Sequence, residues 1–300
     1  MRRFFIAATG CYTGWREYKM ETMGFLGPQG THSEAAAIYL NGLLASPAKL
    51  VAYPEIYSAM QAVTEGEIDS CLVPVENSLE GSINVTLDVL AHSDTLVVEY
   101  ELVWGVHNQL MAKEKDKAIT KIYSHAQPLS QCRAYLKSWY PQAQLLAMPS
   151  TAKAARYVAE SGEPGAAAIC TKRAGELYGL CTIAEEIQDN MANCTRFFRV
   201  CRRGEASQGI VDKSLVICQI DGSRAGSLCE VLQEYARRGV NMTRIESRPA
   251  RTELGAYIFF FELEPVSGME KMKESIEAVR QKSFWLKNLG EFPVVYAAKH

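Results

Sequence analysis

Between residues 23 and about 200 one pattern keeps returning: a short apolar run, a connection of small polar residues, then a helical repeat. Met23-Gly24-Phe25-Leu26-Gly27 leads through Pro28-Gln29-Gly30-Thr31-His32-Ser33 into an alanine-rich helix over 34–40. Cys71-Leu72-Val73 leads through Pro74-Val75-Glu76-Asn77-Ser78 into a helix near 83–91. Three further units predict helices over 129–138, 152–160 and 172–178, reached through Ser124-His125-Ala126-Gln127-Pro128, Pro149-Ser150-Thr151 and Thr171. Short strands alternating with helices predict an α/β fold with parallel sheets covered by helices. The connections share a chemistry. Ser, Thr and Asn cap exposed N–H groups at helix starts, and those helix ends favour anions. Ligands of open α/β sheets gather beyond the carboxyl ends of the strands. A small anionic ligand is the expected occupant.

The stretch 95–112 reads as extended and carries the chain from one lobe to the other. A polar segment, Gly204-Glu205-Ala206-Ser207-Gln208-Gly209, marks a linker over 204–213. Beyond it the pattern changes. Strand 214–220, helix 226–238, strand 240–248, strand 255–263, helix 269–282 and a last strand near 292–297 give β-α-β-β-α-β, the ferredoxin-like order. With 300 residues the chain has room for about two domains. Residues 1–22 imitate a signal peptide, with Arg2-Arg3 before Phe4-Phe5-Ile6, but Gly10, Thr13, Gly14 and Arg16 interrupt the apolar run. They read as a poorly ordered extension.

Charge and cysteine usage narrow the class. The formal net charge is -2 and no basic run with interleaved aromatics exists, which argues against nucleic acid. No apolar stretch approaches the ~20 residues that span a bilayer. The nine cysteines form no CxxC pair and no Cys/His ligand spacing, so no metal site is expected and buried, reduced thiols point to the cytoplasm.

Four stretches, in order, resemble the prephenate dehydratase family: Gly27-Pro28-Gln29-Gly30-Thr31-His32-Ser33-Glu34; Pro74-Val75-Glu76-Asn77-Ser78 with Gly81 and Thr86; Ser124-His125 with Gln131-Cys132; and Asn193-Cys194-Thr195-Arg196-Phe197. Gly226-Ser227-Leu228 and Glu246-Ser247-Arg248-Pro249 resemble the ACT domain attached to these enzymes. The resemblance implies a two-lobed catalytic region over 23–203, built like type II periplasmic binding proteins, with lobes of roughly 23–98 plus 187–203 and of 99–186. An ACT regulatory domain over 214–300 follows. It implies conversion of prephenate to phenylpyruvate, water and carbon dioxide without a cofactor, with L-phenylalanine as feedback effector and a homodimer or homotetramer formed through ACT domains. Three departures stand out. His32 replaces the usual aromatic, Ala225-Gly226-Ser227-Leu228 replaces Pro-Gly-Ala-Leu, and no long helical region that would be a fused chorismate mutase precedes residue 23.

Prephenate is a dianion whose loss of carbon dioxide and hydroxide leaves an aromatic ring. The protein must hold two carboxylates, align the breaking bonds and offer a hydrogen bond or proton to the departing oxygen. The resemblance places the essential group at Thr195, whose hydroxyl donates or relays. Arg196 suits a carboxylate as a bidentate fork, and Phe197 dries the cleft. Glu76, given a burial-raised pKa, and His125 are two candidates for the proton. Thr31, Ser33, Asn77, Ser78, Ser150 and Thr151 are neutral donors to carboxylate oxygens, and His32 is a packing residue. For the effector, Ala225, Gly226, Ser227 and Leu228 allow close backbone approach, and Asn241 with Glu246, Ser247, Arg248 and Pro249 forms the other wall. An ACT unit alone leaves sheet surface unburied, for which pairing with a second copy is the remedy. The rivals are arogenate dehydratase chemistry and a non-catalytic binding protein for a small anion or amino acid. A dinucleotide enzyme is a weaker rival, because Gly24, Gly27 and Gly30 have the wrong spacing.

Overall fold

The computed structural model describes residues 20–205, 210–250 and 256–297, so the extension expected over 1–22 lies almost wholly outside the described residues. The chain opens with β1 (Thr22–Leu26), α1 (His32–Leu43), β2 (Lys49–Tyr53), α2 (Ile56–Glu65), β3 (Ser70–Asn77), the short β4 (Gly81–Ser82), α3 (Asn84–His92) and β5 (Leu96–Gly105). It then crosses to a second lobe: β6 (Gln109–Ala112), β7 (Lys121–Ser124), α4 (Ala126–Gln131), α5 (Arg133–Trp139), β8 (Gln144–Ala147), α6 (Thr151–Glu160), β9 (Ala166–Cys170), α7 (Lys172–Tyr178) and β10 (Cys181–Ala184). It returns through β11 (Cys194–Arg202). The first sheet is ordered β5-β11-β3-β1-β2 with β4 against β3, and the second β10-β6-β9-β7-β8. The two crossing segments are stitched together, with Val106 N donating to Asn193 O at 2.9 Å and Ile187 N to Asn108 O at 3.0 Å.

Two sequence expectations shift here. The first lobe does not end near 98. Strand β5 stays in the first sheet as far as Gly105, because β11 pairs along its length from Arg202 opposite Leu96 to Cys194 opposite Gly105. The helix expected over 129–138 is split into α4 and α5, since Cys132 adopts φ -112° and ψ 16° and leaves the helical region.

The C-terminal unit comprises β12 (Lys213–Gln219), α8 (Ser227–Arg237), β13 (Asn241–Pro249), β14 (Tyr257–Glu264), α9 (Met269–Arg280) and β15 (Trp285–Phe292). Its sheet order, β13-β14-β12-β15, is the ferredoxin-like arrangement. The last strand expected near 292–297 is two things. The fourth strand of this unit is β15. After it, β16 (Val294–Tyr296) leaves the unit and runs parallel to β5, extending the first sheet.

Alternation along β12 and β14 decides what covers this sheet. Val216, Cys218, Phe261 and Leu263 face the helices and pack with Val231, Tyr235, Met272 and Val279. Leu215, Ile217, Ile258 and Phe260 face the other way and join one core with Met60, Val63, Leu87, Leu90, Phe198 and Phe292 of the first lobe and β15. Each fully buried aromatic contributes on the order of 1.5–3 kcal/mol. The face of β12 and β14 turned away from the helices is therefore covered within the chain, while the outer strand β13 keeps Thr243, Ile245 and Ser247 exposed on its other face.

Candidate active site

A cleft of about 480 Å³ lies between the two lobes. The first lobe contributes Gly27, Thr31, His32, Ser33, Pro74, Asn77, Thr195 and Phe197, and the second contributes His125, Gln127, Gln131, Ser150 and Thr151. Two helices begin at its walls. At α1, Thr31 Oγ accepts from Glu34 N (3.3 Å) and donates to Leu26 O (3.2 Å), while Glu34 Oε2 accepts from Gly30 N (2.6 Å). This is a variant of the reciprocal cap. At α6, Ser150 Oγ accepts from Lys153 N at 3.1 Å, so its own hydrogen remains available to a ligand. The positive ends of α1 and α6 thus flank one hollow from opposite lobes. Gly30 lets the lobes meet. Its φ is +86°, and a Cβ there would stand 3.1 Å from Ala174 Cβ and 3.3 Å from Ala152 Cβ.

Within the cleft Thr195 is held by one neighbour. Asn77 Nδ2 donates to Thr195 Oγ at 3.0 Å and shares its hydrogens with Asn193 Oδ1 (3.0 Å) and Cys194 O (3.2 Å). Asn77 Oδ1 accepts from Leu79 N (3.0 Å) and Glu80 N (3.2 Å), which fixes the amide with nitrogen towards Thr195. A hydroxyl that already accepts from Asn77 has its own hydrogen to give elsewhere. Asn77 is accordingly occupied inside the protein rather than available to a substrate carboxylate. Ser78 is likewise turned away, accepting from Cys194 N at 3.0 Å and lying 3.5 Å from Ala192 O.

Arg196 and Glu76 are not cleft residues. Side chains alternate along a strand, and with Thr195 and Phe197 lining the cleft, Arg196 passes to the opposite face of the sheet. There its guanidinium meets Glu76 Oε2, Glu101 Oε1 and Glu262 Oε2, each at 2.6 Å. The expectation that Arg196 grips a substrate carboxylate, and that Glu76 supplies a proton, is corrected by this placement. Burial alone would raise the Glu262 carboxyl, but Arg196 foremost, then Lys213 and Arg244, bring it below the usual glutamate range.

His32 lines the cleft and also a second hollow with Trp104 and His107. Burial lowers its pKa from 6.5 to about 4, partly opposed by Asn108, so the ring is neutral at pH 7. His125 caps α4, its Nδ1 accepting from Gln127 N at 3.4 Å, which assigns its proton to Nε2. Sequence reasoning missed Glu80, Gly81, Ser82 and Ile83, which lie along the cleft between the Asn77 turn and α3. Only Gly81 carried a signal. Among the described residues that line the cleft Glu80 is the one carboxylate, and neither lysine nor arginine is present.

The family model described as prephenate dehydratase matches residues 23–205, the whole of this two-lobed region. The chain belongs to the prephenate dehydratase family. The bifunctional chorismate mutase/prephenate dehydratase of Neisseria gonorrhoeae is 36% identical over 274 residues, covering 91% of this chain and 74% of that protein. The prephenate dehydratase of Methanocaldococcus jannaschii is 33% identical over 270 residues, covering 89% and 96%. The crystal structure of the Arthrobacter aurescens prephenate dehydratase in complex with L-Phe superposes with a TM-score of 0.81 at 33% identity, over 91% of this chain and 90% of that one. Three of the four stretches that carry the family resemblance place residues around the Thr195 cleft from the first lobe, and His125 and Gln131 do so from the second.

The expected effector residues separate into groups. Gly226, at φ +85°, starts α8 beside exposed Ala225, Ser227 Oγ donates to Arg224 O at 2.9 Å, and Leu228 packs on the helix-side core. Ser247 and Pro249 are exposed and lie at the sheet end where β12 stops, near the level of Gln219. Asn241 is at the opposite end, pairing with Glu264. Glu246 and Arg248 point to the first lobe, where Glu246 accepts from Ser82 Oγ at 2.6 Å and Arg248 holds Asp88 at 2.8 Å. These three are corrected from a shared effector wall to other surroundings. Among the described residues no helix is long and apolar enough to cross a membrane, and no group of His, Cys, Asp and Glu suits a metal ion.

Proposed function

We propose that this chain converts prephenate to phenylpyruvate in the cleft at Thr195. The observation that carries the reading is the hydroxyl held by Asn77, free to donate to a departing oxygen. The electron pair of the breaking C–COO⁻ bond moves into the ring, carbon dioxide leaves, and the ring becomes aromatic as the C–O bond breaks. Thr195 donates to that oxygen, and one proton completes water. Positioned donors of this kind are worth roughly 10²–10³ in rate. The proton that completes water comes from solvent in the cleft, with the Nε2–H of His125 offering the departing oxygen a second hydrogen bond and Glu76 taking no part. The α1 and α6 ends, with Ser33, Ser150 and Thr151, receive the carboxylates. Phe197 keeps the reacting carboxylate poorly hydrated.

Glu80 favours a second reading, arogenate as substrate, because a carboxylate at the rim pairs with an ammonium and repels a second anion. Purified protein given each substrate separately, with phenylpyruvate or phenylalanine followed by absorbance and chromatography, decides. Turnover of prephenate is expected. Turnover of arogenate alone selects the second reading, and turnover of neither ends both.

The C-terminal unit is read as an ACT domain that senses L-phenylalanine, a reading supported by the L-Phe complex of the Arthrobacter relative. The loop before Gly226 and the exposed Ser247 and Pro249 share one end of its sheet, a suitable effector surface. Pairing of two copies along the open β13 edge is the natural assembly. Buried thiols fit a reducing cytoplasm.

A further inference from the structure

Thr195 and Arg196 are adjacent on β11 but serve opposite faces of the sheet. On the cleft side Asn77 donates to Thr195 at 3.0 Å. On the far side Arg196 Nη1 donates to Glu76, the residue before Asn77, at 2.6 Å. The register makes this a paired clasp, with Thr195 opposite Asn77 and Arg196 opposite Glu76. Immediately beyond Arg196 the register slips, so the regular pairing is interrupted where the clasp ends. The position of the Thr195 hydroxyl is thus fixed by two cross-strand links, one on each face.

The far-side link is shared. Arg196 Nη2 donates to Glu262 of β14 at 2.6 Å, and Nε donates to Glu101 of β5 at 2.6 Å. Glu101 is fully buried and Glu262 is 1% exposed, so each depends on cations for its charge. Lys213 supplies a second one to both, at 3.1 Å and 3.7 Å, and Arg244 reaches Glu262 at 3.2 Å and Glu76 at 3.8 Å. The C-terminal unit therefore completes the charge balance directly behind Thr195. It also holds a second cleft wall, since Ser82 of β4 contacts Glu246 and Arg244, each at 2.6 Å.

We propose that Arg196 is a positioning residue, which makes the placement of the Thr195 hydroxyl conditional on docking of the C-terminal unit through Glu262. This rests on the reading that dehydration occurs at Thr195. A displacement of Glu262 leaves Arg196 Nη2 without its acceptor, so the guanidinium re-seats between Glu76 and Glu101 and the two strands shift at the cleft. A misplacement of about 1 Å at a reacting group costs on the order of 10² in rate. The device has a consequence opposite to that of a substrate-binding arginine: its loss lowers kcat and leaves KM in place.

The test is a kinetic cycle of Arg196→Lys, Glu262→Gln and the double variant, with thermal melts to establish folding. Lysine brings one nitrogen to three acceptors, so kcat falls about 10–100-fold with KM within about twofold. Glu262→Gln lowers kcat by less. The double variant is no worse than Arg196→Lys, because both changes break one link. A raised KM at unchanged kcat overturns the proposal in favour of direct substrate binding. Unchanged kcat, or losses that multiply, overturn it in favour of a merely structural interface. Hydrogen exchange provides a readout free of turnover: Glu262→Gln is expected to speed exchange in the peptide carrying Thr195 and not in those of β7 and β9. Unchanged exchange at Thr195 overturns the link. If the wild-type protein turned over neither substrate while this coupled exchange persisted, the functional reading would fail and the link would stand.

Discussion

Asn77 Nδ2 lies 3.0 Å from Thr195 Oγ, and the Asn77 carbonyl oxygen is held by two backbone N–H groups. The amide therefore cannot turn over, and Thr195 accepts from it rather than donating to it. Aspartate at 77 keeps the size and the acceptor to Leu79 and Glu80 but removes the donor. Thr195 would then give its hydrogen to the aspartate. Asn77→Asp is expected to lower kcat about 10²–10³-fold with the fold retained, measured by steady-state rates beside a circular dichroism spectrum. Near-normal kcat would show that the hydroxyl direction is unimportant.

His32 makes the protein acid-sensitive. Its pKa is about 4 in the folded protein against 6.5 as the ordinary value. Between those pH values the unfolded chain takes up a proton that the native chain does not, so stability falls as pH drops from about 6.5 towards 4, by up to about 3 kcal/mol. Below about 4 both states carry the proton and this contribution changes no further. Denaturant titrations across that window should show a shallower acid slope in His32→Phe. Identical slopes would contradict the assignment.

Gly290, on β15, has φ +132°, and a Cβ there would stand 2.3 Å from the backbone oxygen of Val98 in β5. A seam between β15 of the C-terminal unit and β5 of the first lobe runs through this position. Gly290→Ala combines a conformation that L residues avoid with a clash against backbone, a loss of roughly 2 kcal/mol or more. A fall in Tm of at least about 4 °C is expected by calorimetry.

Thiol labelling should separate the cysteines sharply. Cys229 is exposed, whereas Cys71, Cys132, Cys170 and Cys218 are buried. Burial pushes the Cys132 and Cys170 thiols up to about 12 and that of Cys218 to about 11. At pH 8 a maleimide should modify Cys229 within minutes and leave those four unmodified until the chain unfolds. Peptide mapping reads the result directly.

The strand–connection–helix pattern of residues 23 to 200 was legible because each connection carries its own capping chemistry. Thr31, Ser150 and Thr171 do cap their helices. Which face of a strand each residue serves was less legible, although the period-two rule contained part of the answer. Once Thr195 and Phe197 are assigned to a cleft, Arg196 between them belongs to the other side. Charged residues beside a motif invite a catalytic role, and here the competing fact was tertiary: a second sheet docks on that face and buries Glu101 and Glu262. Glu246 and Arg248 misled for the same reason, since their partners Ser82 and Asp88 are far away in sequence. The return of β16 to β5 had no local signal at all, because a short apolar strand at a chain end pairs equally well with several edges.

The account stands on the hydroxyl of Thr195. The most direct measurement is single-turnover conversion of prephenate by the wild-type protein, Thr195→Ser and Thr195→Ala, with substrate binding followed separately. The account predicts that serine retains most of the rate, while alanine binds substrate and folds normally but converts it at least about 10²-fold more slowly. A wild-type rate in Thr195→Ala would contradict it.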